Sequence, residues 1–277
     1  MNAERLAAML DKVAGSGVVV MCQYCGALTP TLGNLAICHS CESAISRDGD
    51  ALARRSADMV EAIGTIKTQL AAYKYDDAMA SYEALYAKYG DPALLYAEGL
   101  VCNACSNHEV SLISYAREGF MEENTLHRDE AARRAARARL LFNKSLNAYT
   151  AALVKESSPA TMYMAFLAHI KLGNLRAAES MLDGLAGSGS HYLHAYAKMV
   201  FDSASGRFGE LAADAERLMK PDLWSVNAFY YMALALLKAH DSKAALKLVR
   251  ALKKHIGGSA VEALEKEAVN YDAATLF

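Results

Sequence analysis

Residues 159–184 read PATMYMAFLAHIKLGNLRAAESMLDG, two apolar-periodic segments separated by Gly173. Within this stretch Tyr163, Gly173, Leu175 and Ala178 have counterparts at Tyr196, Gly206, Phe208 and Leu211, and again at Tyr230, His240, Ser242 and Ala245, at offsets of 33 and then 34. A helix-breaking position between two amphipathic segments, recurring at that period, describes a helical hairpin. One such hairpin cannot bury its own apolar face and has to stack on copies of itself. The sequence therefore predicts an all-α chain of stacked hairpins near 159–189, 190–222 and 223–256, with a last helix over 260–271 covering the open end.

Working backwards, the run YDDAMASYEALYAKYGDP over 75–92, followed by ALLYAEG, resembles a tetratricopeptide repeat. An aromatic stands in the turn, Ala78 is the small residue, Tyr82 is the second aromatic, and Asp91-Pro92 opens the next helix. Asp as N-cap before Pro is physically sound, because Pro lacks an N–H that would be unpaired there; Ser158-Pro159 repeats the device. The chain departs from the repeat pattern at Phe166, where the family often has Gly, and at His240, which replaces the turn Gly. A related hairpin repeat of different superhelical pitch stays open. Between 106 and 125 the register breaks, and SNHEVSLISYAREGFMEENT is expected to be an irregular insertion before a long helix over 126–155. The expected organisation is an N-terminal module over 1–48, then a tetratricopeptide-like α-solenoid over 49–277.

The N-terminal module opens with a helical pattern, broken at Gly15-Ser16-Gly17, and Val18 to Met21 reads as a strand. It leads into Cys22-x-x-Cys25, and Cys38-x-x-Cys41 follows at the spacing C-x2-C-x12-C-x2-C. Two tight knuckles offering four thiolates suit tetrahedral zinc. The pattern resembles a zinc ribbon over residues 17–46. Gly26 suits the knuckle turn, and Glu42 stands at the corresponding place in the second. So small a module has little core, so one structural zinc on Cys22, Cys25, Cys38 and Cys41 would supply much of its folding free energy, on the order of 10 kcal/mol. A rubredoxin-like iron site or a redox dithiol uses the same residues. Glu42 is the one charged side chain between Gly15 and Ser46, so this module lacks the Lys and Arg that phosphate contact needs.

The tetratricopeptide resemblance implies that Tyr96, Tyr163, Tyr196 and Tyr230 share a place on successive first helices facing a concave groove. There they would grip a peptide or helix of a protein partner, flanked by Lys171 and Lys238. The competing reading is that these tyrosines belong to the scaffold and the lysines are ordinary surface groups. One basic stretch runs from Arg128 to Lys144. Its Arg133, Arg137, Arg139 and Lys144 are candidate anion contacts for an alternative, nucleic-acid-associated role, although Asp129 and Glu130 sit at i, i+4 from Arg133 and Arg134 and consume part of the charge. Cys102, Cys105 and His108 could form a second metal site only if the helix ended near Cys105. His191 and His194 lack a nearby acidic ligand.

Composition narrows the classes further. Lys and Arg number 29 against 31 Asp and Glu, a net charge of -2, so no global field favours nucleic acid or an anionic membrane. No apolar run reaches membrane-spanning or secretory-signal length, and all six cysteines fall in C-x-x-C pairs, which suits a cytoplasmic protein. No catalytic motif is present. The sequence thus points to a non-catalytic scaffold or adaptor; it leaves oligomeric state open.

Overall fold

The computed structural model describes residues 3–16, 18–22, 28–32, 35–39, 42–46, 57–119, 125–220, 223–256 and 259–274. In chain order the elements are α1 (Ala3–Ser16), β1 (Val18–Met21), β2 (Leu28–Thr31), β3 (Leu35–Ile37), β4 (Ala44–Ser46), α2 (Ala57–Ala71), α3 (Tyr75–Tyr89), α4 (Pro92–Gly119), α5 (Thr125–Lys155), α6 (Pro159–Lys171), α7 (Leu175–Gly187), α8 (His191–Ala204), α9 (Phe208–Arg217), α10 (Asn227–Lys238), α11 (Ser242–Leu252) and α12 (Ser259–Ala274). The chain is mostly helical, as its composition and periodicity predict. It forms two compact units, α2–α7 in one and the N-terminal elements with α8–α12 in the other. The expected boundary near residue 48 falls between the N-terminal module and α2, and the module groups with helices far away in sequence.

Four of the helix pairs share one turn. Tyr73, Gly173, Gly206 and His240 each take the left-handed conformation, with φ of 57°, 76°, 72° and 64°. In each, the next residue's N–H reaches back to a carbonyl five residues earlier: Lys74 to Gln69, Asn174 to His169, Arg207 to Asp202 and Asp241 to Leu236, all at 2.9 Å. This bond satisfies a carbonyl that the ending helix leaves over, and it sets the angle at which the second helix leaves. Glycine fits the left-handed position freely; Tyr73 and His240 occupy it against a steric penalty.

In the α2–α7 unit, successive helices pack as neighbours, α2 to α5 around Ile63, Ile66, Ala78, Tyr82, Leu94, Val101 and Leu141. The Asp91 carboxylate accepts from the Ala93 N–H at 3.0 Å and so caps α4. Ser158 has the extended backbone of a cap but makes no side-chain cap bond, leaving Pro159 to start α6. Of the irregular insertion expected over 106–125, residues 106–119 are a correction, because α4 continues as helix through Gly119, and 120–124 lie outside the described residues. The physical reason is that its inner side has a partner along this length, where Ser106 donates to the Ala138 carbonyl of α5 at 2.7 Å and Glu109 meets Arg134. Close approach of α4 and α5 relies on Gly99, where a Cβ would stand 2.4 Å from the Tyr149 ring.

In the other unit α1 packs on α11, burying Leu6 and Leu10 completely. Each such side chain contributes about 1.5–3 kcal/mol. The seam is framed by Glu4 with Lys247 and by Asp11 with His255 at 2.7 Å. α12 packs on α11 through Leu264 and Ala268, as a covering helix should.

Candidate metal centre and aromatic face

The N-terminal module is two antiparallel hairpins of matching design. Met21 pairs with Leu28 to close β1 on β2 around residues 22–27, and Ile37 pairs with Ala44 to close β3 on β4 around residues 38–43. The loops are equal in length and each begins with a cysteine. Cys22 is 1% exposed and Cys38 is fully buried. The second loop is a tight knuckle: the Glu42 N–H donates to the Cys38 carbonyl at 3.0 Å, and the Cys38 N–H donates to the Ser43 carbonyl at 2.9 Å. Glu42 has φ of 62°, the left-handed geometry that made glycine the expected residue there.

Cys22 reaches the second loop directly, with its sulfur 3.5 Å from the Ser43 hydroxyl. Beside it burial pushes the His39 imidazole below its usual range, the Cys22 thiol opposing, while its Nδ1 lies 3.3 Å from the Thr29 hydroxyl. Cys25, Gly26 and Cys41 lie outside the described residues. Among the described residues no three His, Cys, Asp or Glu side chains gather into a metal shell. What is described fits a four-thiolate site: the leading cysteines of two equivalent loops are withdrawn from water, and one touches the other's loop.

The four tyrosines singled out at equivalent repeat positions meet different surroundings. Tyr96 packs on Tyr149 with ring centres 6.0 Å apart. Tyr163 is fully buried and stacks on Phe166 at 6.3 Å, which gives a packing role to the aromatic that replaces the family's small residue. Tyr196, 2% exposed, accepts a hydrogen bond from the Asn227 side-chain amide at 2.8 Å. Its ring lies 6.4 Å from Tyr192 and edge-on to Tyr231 at 6.5 Å, and Tyr231 stands against Tyr230 at 5.3 Å. α8 and α10 therefore share a face of four tyrosines. Sequence reasoning missed Tyr192 and Tyr231, and the signal was present: Tyr192 precedes Tyr196 by one helical turn, and Tyr231 adjoins Tyr230.

The electrostatics of that face involve β3 and the loop before β4. Burial pushes the Tyr192 phenol up to about 12, weakly opposed by the Ser225 side chain and the Ile37 backbone. Burial also raises Tyr196, Tyr230 and Tyr231, and the Glu42 carboxylate adds to each shift. Successive strand residues point to opposite faces, yet Ala36, Ile37, Ala44 and Ile45 are all buried. Both faces of this hairpin are therefore covered, and β2 lies beside β3. β1 by contrast leaves Val18, Val19 and Met21 exposed.

The predicted charged contacts are largely used within the chain. The Lys171 ammonium donates to the Asn107 side chain at 2.8 Å and sits 5.3 Å over the Phe142 ring. Lys238 pairs with Glu267 of α12 at 2.7 Å. In the basic stretch Glu130 pairs with both Arg133, at 3.0 Å, and Arg134, at 2.8 Å. Arg137 reaches Asp76 at 3.1 Å and Glu109 at 3.3 Å; Lys144 meets Glu83, with Glu98 at 3.7 Å. Arg139 is exposed and appears in none of these pairs. Each exposed pair is worth only about 0–1 kcal/mol, but together they remove the charge surplus that phosphate binding would draw on.

Cys102 and Cys105 are buried, and His108 is drawn away to lie against Tyr73 at 5.5 Å and Tyr75 at 5.6 Å. Burial pushes the Cys102 thiol up to about 12, which makes it an inert apolar group against Met79. His194 is lowered chiefly by burial. Unforeseen from sequence was Asp202, fully buried on α8, which pairs with Lys198 at 2.8 Å and Arg207 at 2.6 Å, while Lys198 also bridges to Asp214. Among the described residues no helix is long and apolar enough to cross a membrane.

No protein-family description, curated protein or solved structure matches this chain.

Proposed function

We propose that this chain is a non-catalytic protein–protein interaction scaffold: a tetratricopeptide-like array of helical hairpins carrying an N-terminal zinc ribbon. Cys22, Cys25, Cys38 and Cys41 would hold one zinc, which when bound cross-links the two knuckles. The four equivalent left-handed turns support the repeat reading, and the matching hairpins with leading buried cysteines support the ribbon. One observation carries the scaffold reading. α8 and α10 share a face of four tyrosines, aromatic contact area of the kind with which helical-repeat surfaces engage partners. The alternative, a nucleic-acid-associated factor using Arg133, Arg137, Arg139 and Lys144, loses support because the acids of α3 and α4, together with Glu130, answer most of that charge.

The test joins metal content to binding. The purified chain should contain one zinc, and labelled single-stranded or duplex nucleic acid should show no tight, salt-steep association. Replacing Cys22→Ser and Cys38→Ser together should abolish metal uptake and loosen α8–α12 while α2–α7 keep their helix. Retention of a full zinc equivalent in that double variant would sink the ribbon.

A further inference from the structure

We infer that Met79, Cys102 and Cys105, where α3 and α5 pack on α4, form a binding site for one monovalent copper ion, held by two thiolates and a thioether. The inference goes beyond the scaffold reading above and depends neither on it nor on the zinc ribbon.

Three sulfurs gather inside a closed core. The Cys102 thiol, fully buried, donates to the Met79 thioether at 3.4 Å and so joins α4 to α3. Cys105 follows Cys102 at i, i+3 on the same face of α4, is 1% exposed, and belongs to the same apolar cluster as Met79 and Leu141. Neither cysteine is in a disulfide. Residues three apart on a helix have Cβ atoms about 5–6 Å apart, whereas a disulfide needs about 3.5–4.5 Å. α4 would have to unwind to join the two sulfurs directly. A metal ion between them lengthens the bridge by two metal–sulfur bonds and leaves the helix whole.

The donors select the ion. Thiolate and thioether are soft ligands, which suit monovalent copper and not the harder divalent ions. Zinc would want four ligands, and His108, which could have joined such a set, is turned to Tyr73 and Tyr75. The flanking acids are already engaged. Glu98, Cys102, Cys105 and Glu109 follow one another at offsets of four, three and four, a single buried stripe along α4. α5 answers both carboxylates: Lys144 lies 3.7 Å from Glu98, and Arg134 and Arg137 lie 2.9 Å and 3.3 Å from Glu109. Sulfur is therefore what the middle of the stripe offers. As buried thiols the two cysteines are inert, and only an ion that displaces the proton from sulfur engages them. Those protons leave to solvent past Lys144 and Arg137, which stay partly exposed. The bound ion ties α3 to α4.

The experiment titrates the full chain, its zinc content measured beforehand, with Cu(I) under anaerobic conditions against a chromophoric Cu(I) chelator. One equivalent of copper should bind without release of zinc, and X-ray absorption at the copper edge should show a shell of sulfur alone. Replacing Cys102→Ala and Cys105→Ala together should remove that equivalent. Met79→Leu, which keeps the volume of the core, should weaken it at least tenfold. Copper held by the double variant as tightly as by the unsubstituted chain would overturn the inference. Copper taken up only as zinc leaves would overturn it too, by placing the ion on the four ribbon cysteines. Should the double variant fail to fold, Met79→Leu decides, and an unchanged copper affinity there would refute the three-sulfur site. A chain without zinc that still loses one copper on Cys102→Ala and Cys105→Ala would remove the ribbon and leave this inference standing.

Discussion

Tyr163 and Tyr196 hold the same place in successive hairpins, 33 residues apart, and end in different environments. On α6 Tyr163 is sealed by its own unit's core, stacked on Phe166. On α8 Tyr196 meets Tyr192, Tyr231 and Asn227, and across them Glu42 of the N-terminal module. Both are almost inaccessible, but the field at Tyr196 includes a carboxylate that arrives from the far end of the chain. Repeat position sets where a side chain points; what acts on it depends on another part of the sequence. Burial alone therefore does not distinguish a scaffold tyrosine from one on a binding surface.

Truncating both rings is the most severe way to probe that contrast. Tyr163→Ala should cost about 3–5 kcal/mol, the range for deleting a buried aromatic in a core that cannot collapse. Tyr196→Ala should cost less because the neighbouring Tyr192 and Tyr231 rings can shift into the space. A double-mutant cycle with Tyr231→Ala, read by urea unfolding, should give a coupling of about 1 kcal/mol for Tyr196 and close to zero for Tyr163. Equal couplings would erase the distinction between the two tyrosines.

A smaller effect separates the units by pH. Asp202 has no exposed surface, and although burial opposes its ionisation, Lys198 and Arg207 hold its carboxyl below the usual carboxylate range. Its neighbour Asp214 is raised, by burial first and by Asp202 among the other causes. A carboxyl depressed in the folded state stabilises fully above its unfolded pKa and loses that contribution as pH falls through its folded value. Lowering pH below about 4 should therefore weaken the α8–α12 unit through Asp202. Asp202→Asn should destabilise by about 1–3 kcal/mol at neutral pH and flatten that acid-side loss, in thermal melts between pH 3 and 7. An unchanged acid profile in the variant would show that other carboxylates govern it.

How much of this was legible in the sequence depended on range. The repeat period marked α6–α11, and Asp91-Pro92 and Ser158-Pro159 marked two helix starts, because caps and periodicity act within a few residues. The long helix after 125 was legible too. The helical course of 106–119 was not, since Ser106 and Glu109 find their partners on α5. Polar residues read as a break when the groups that satisfy them lie across the fold. The cysteine spacing suggested the knuckles, but the action of Glu42 on Tyr196, Tyr230 and Tyr231 joins positions more than 150 residues apart, and no local pattern reports that. Glu42 shows the limit well: the sequence set it opposite Gly26, but neither its left-handed backbone nor its action on Tyr230 and Tyr231 was legible there.

The gentlest test lies in the turns, where each unit has solved the same problem once with glycine and once without it. His240 and Tyr73 adopt the backbone that Gly173 and Gly206 adopt without strain, and all four make the same return hydrogen bond. A left-handed non-glycine residue costs about 1–2 kcal/mol, partly offset when glycine adds freedom to the unfolded chain. His240→Gly should therefore stabilise by about 0.5–1 kcal/mol, seen as a rise in the urea midpoint without a change in slope. Tyr73→Gly should gain less, because Tyr73 also lies against Tyr75 and His108 and would give up those ring contacts. If His240→Gly destabilised the chain, the imidazole would have a role at the α10–α11 turn beyond tolerating its geometry, and the turns would no longer be equivalent.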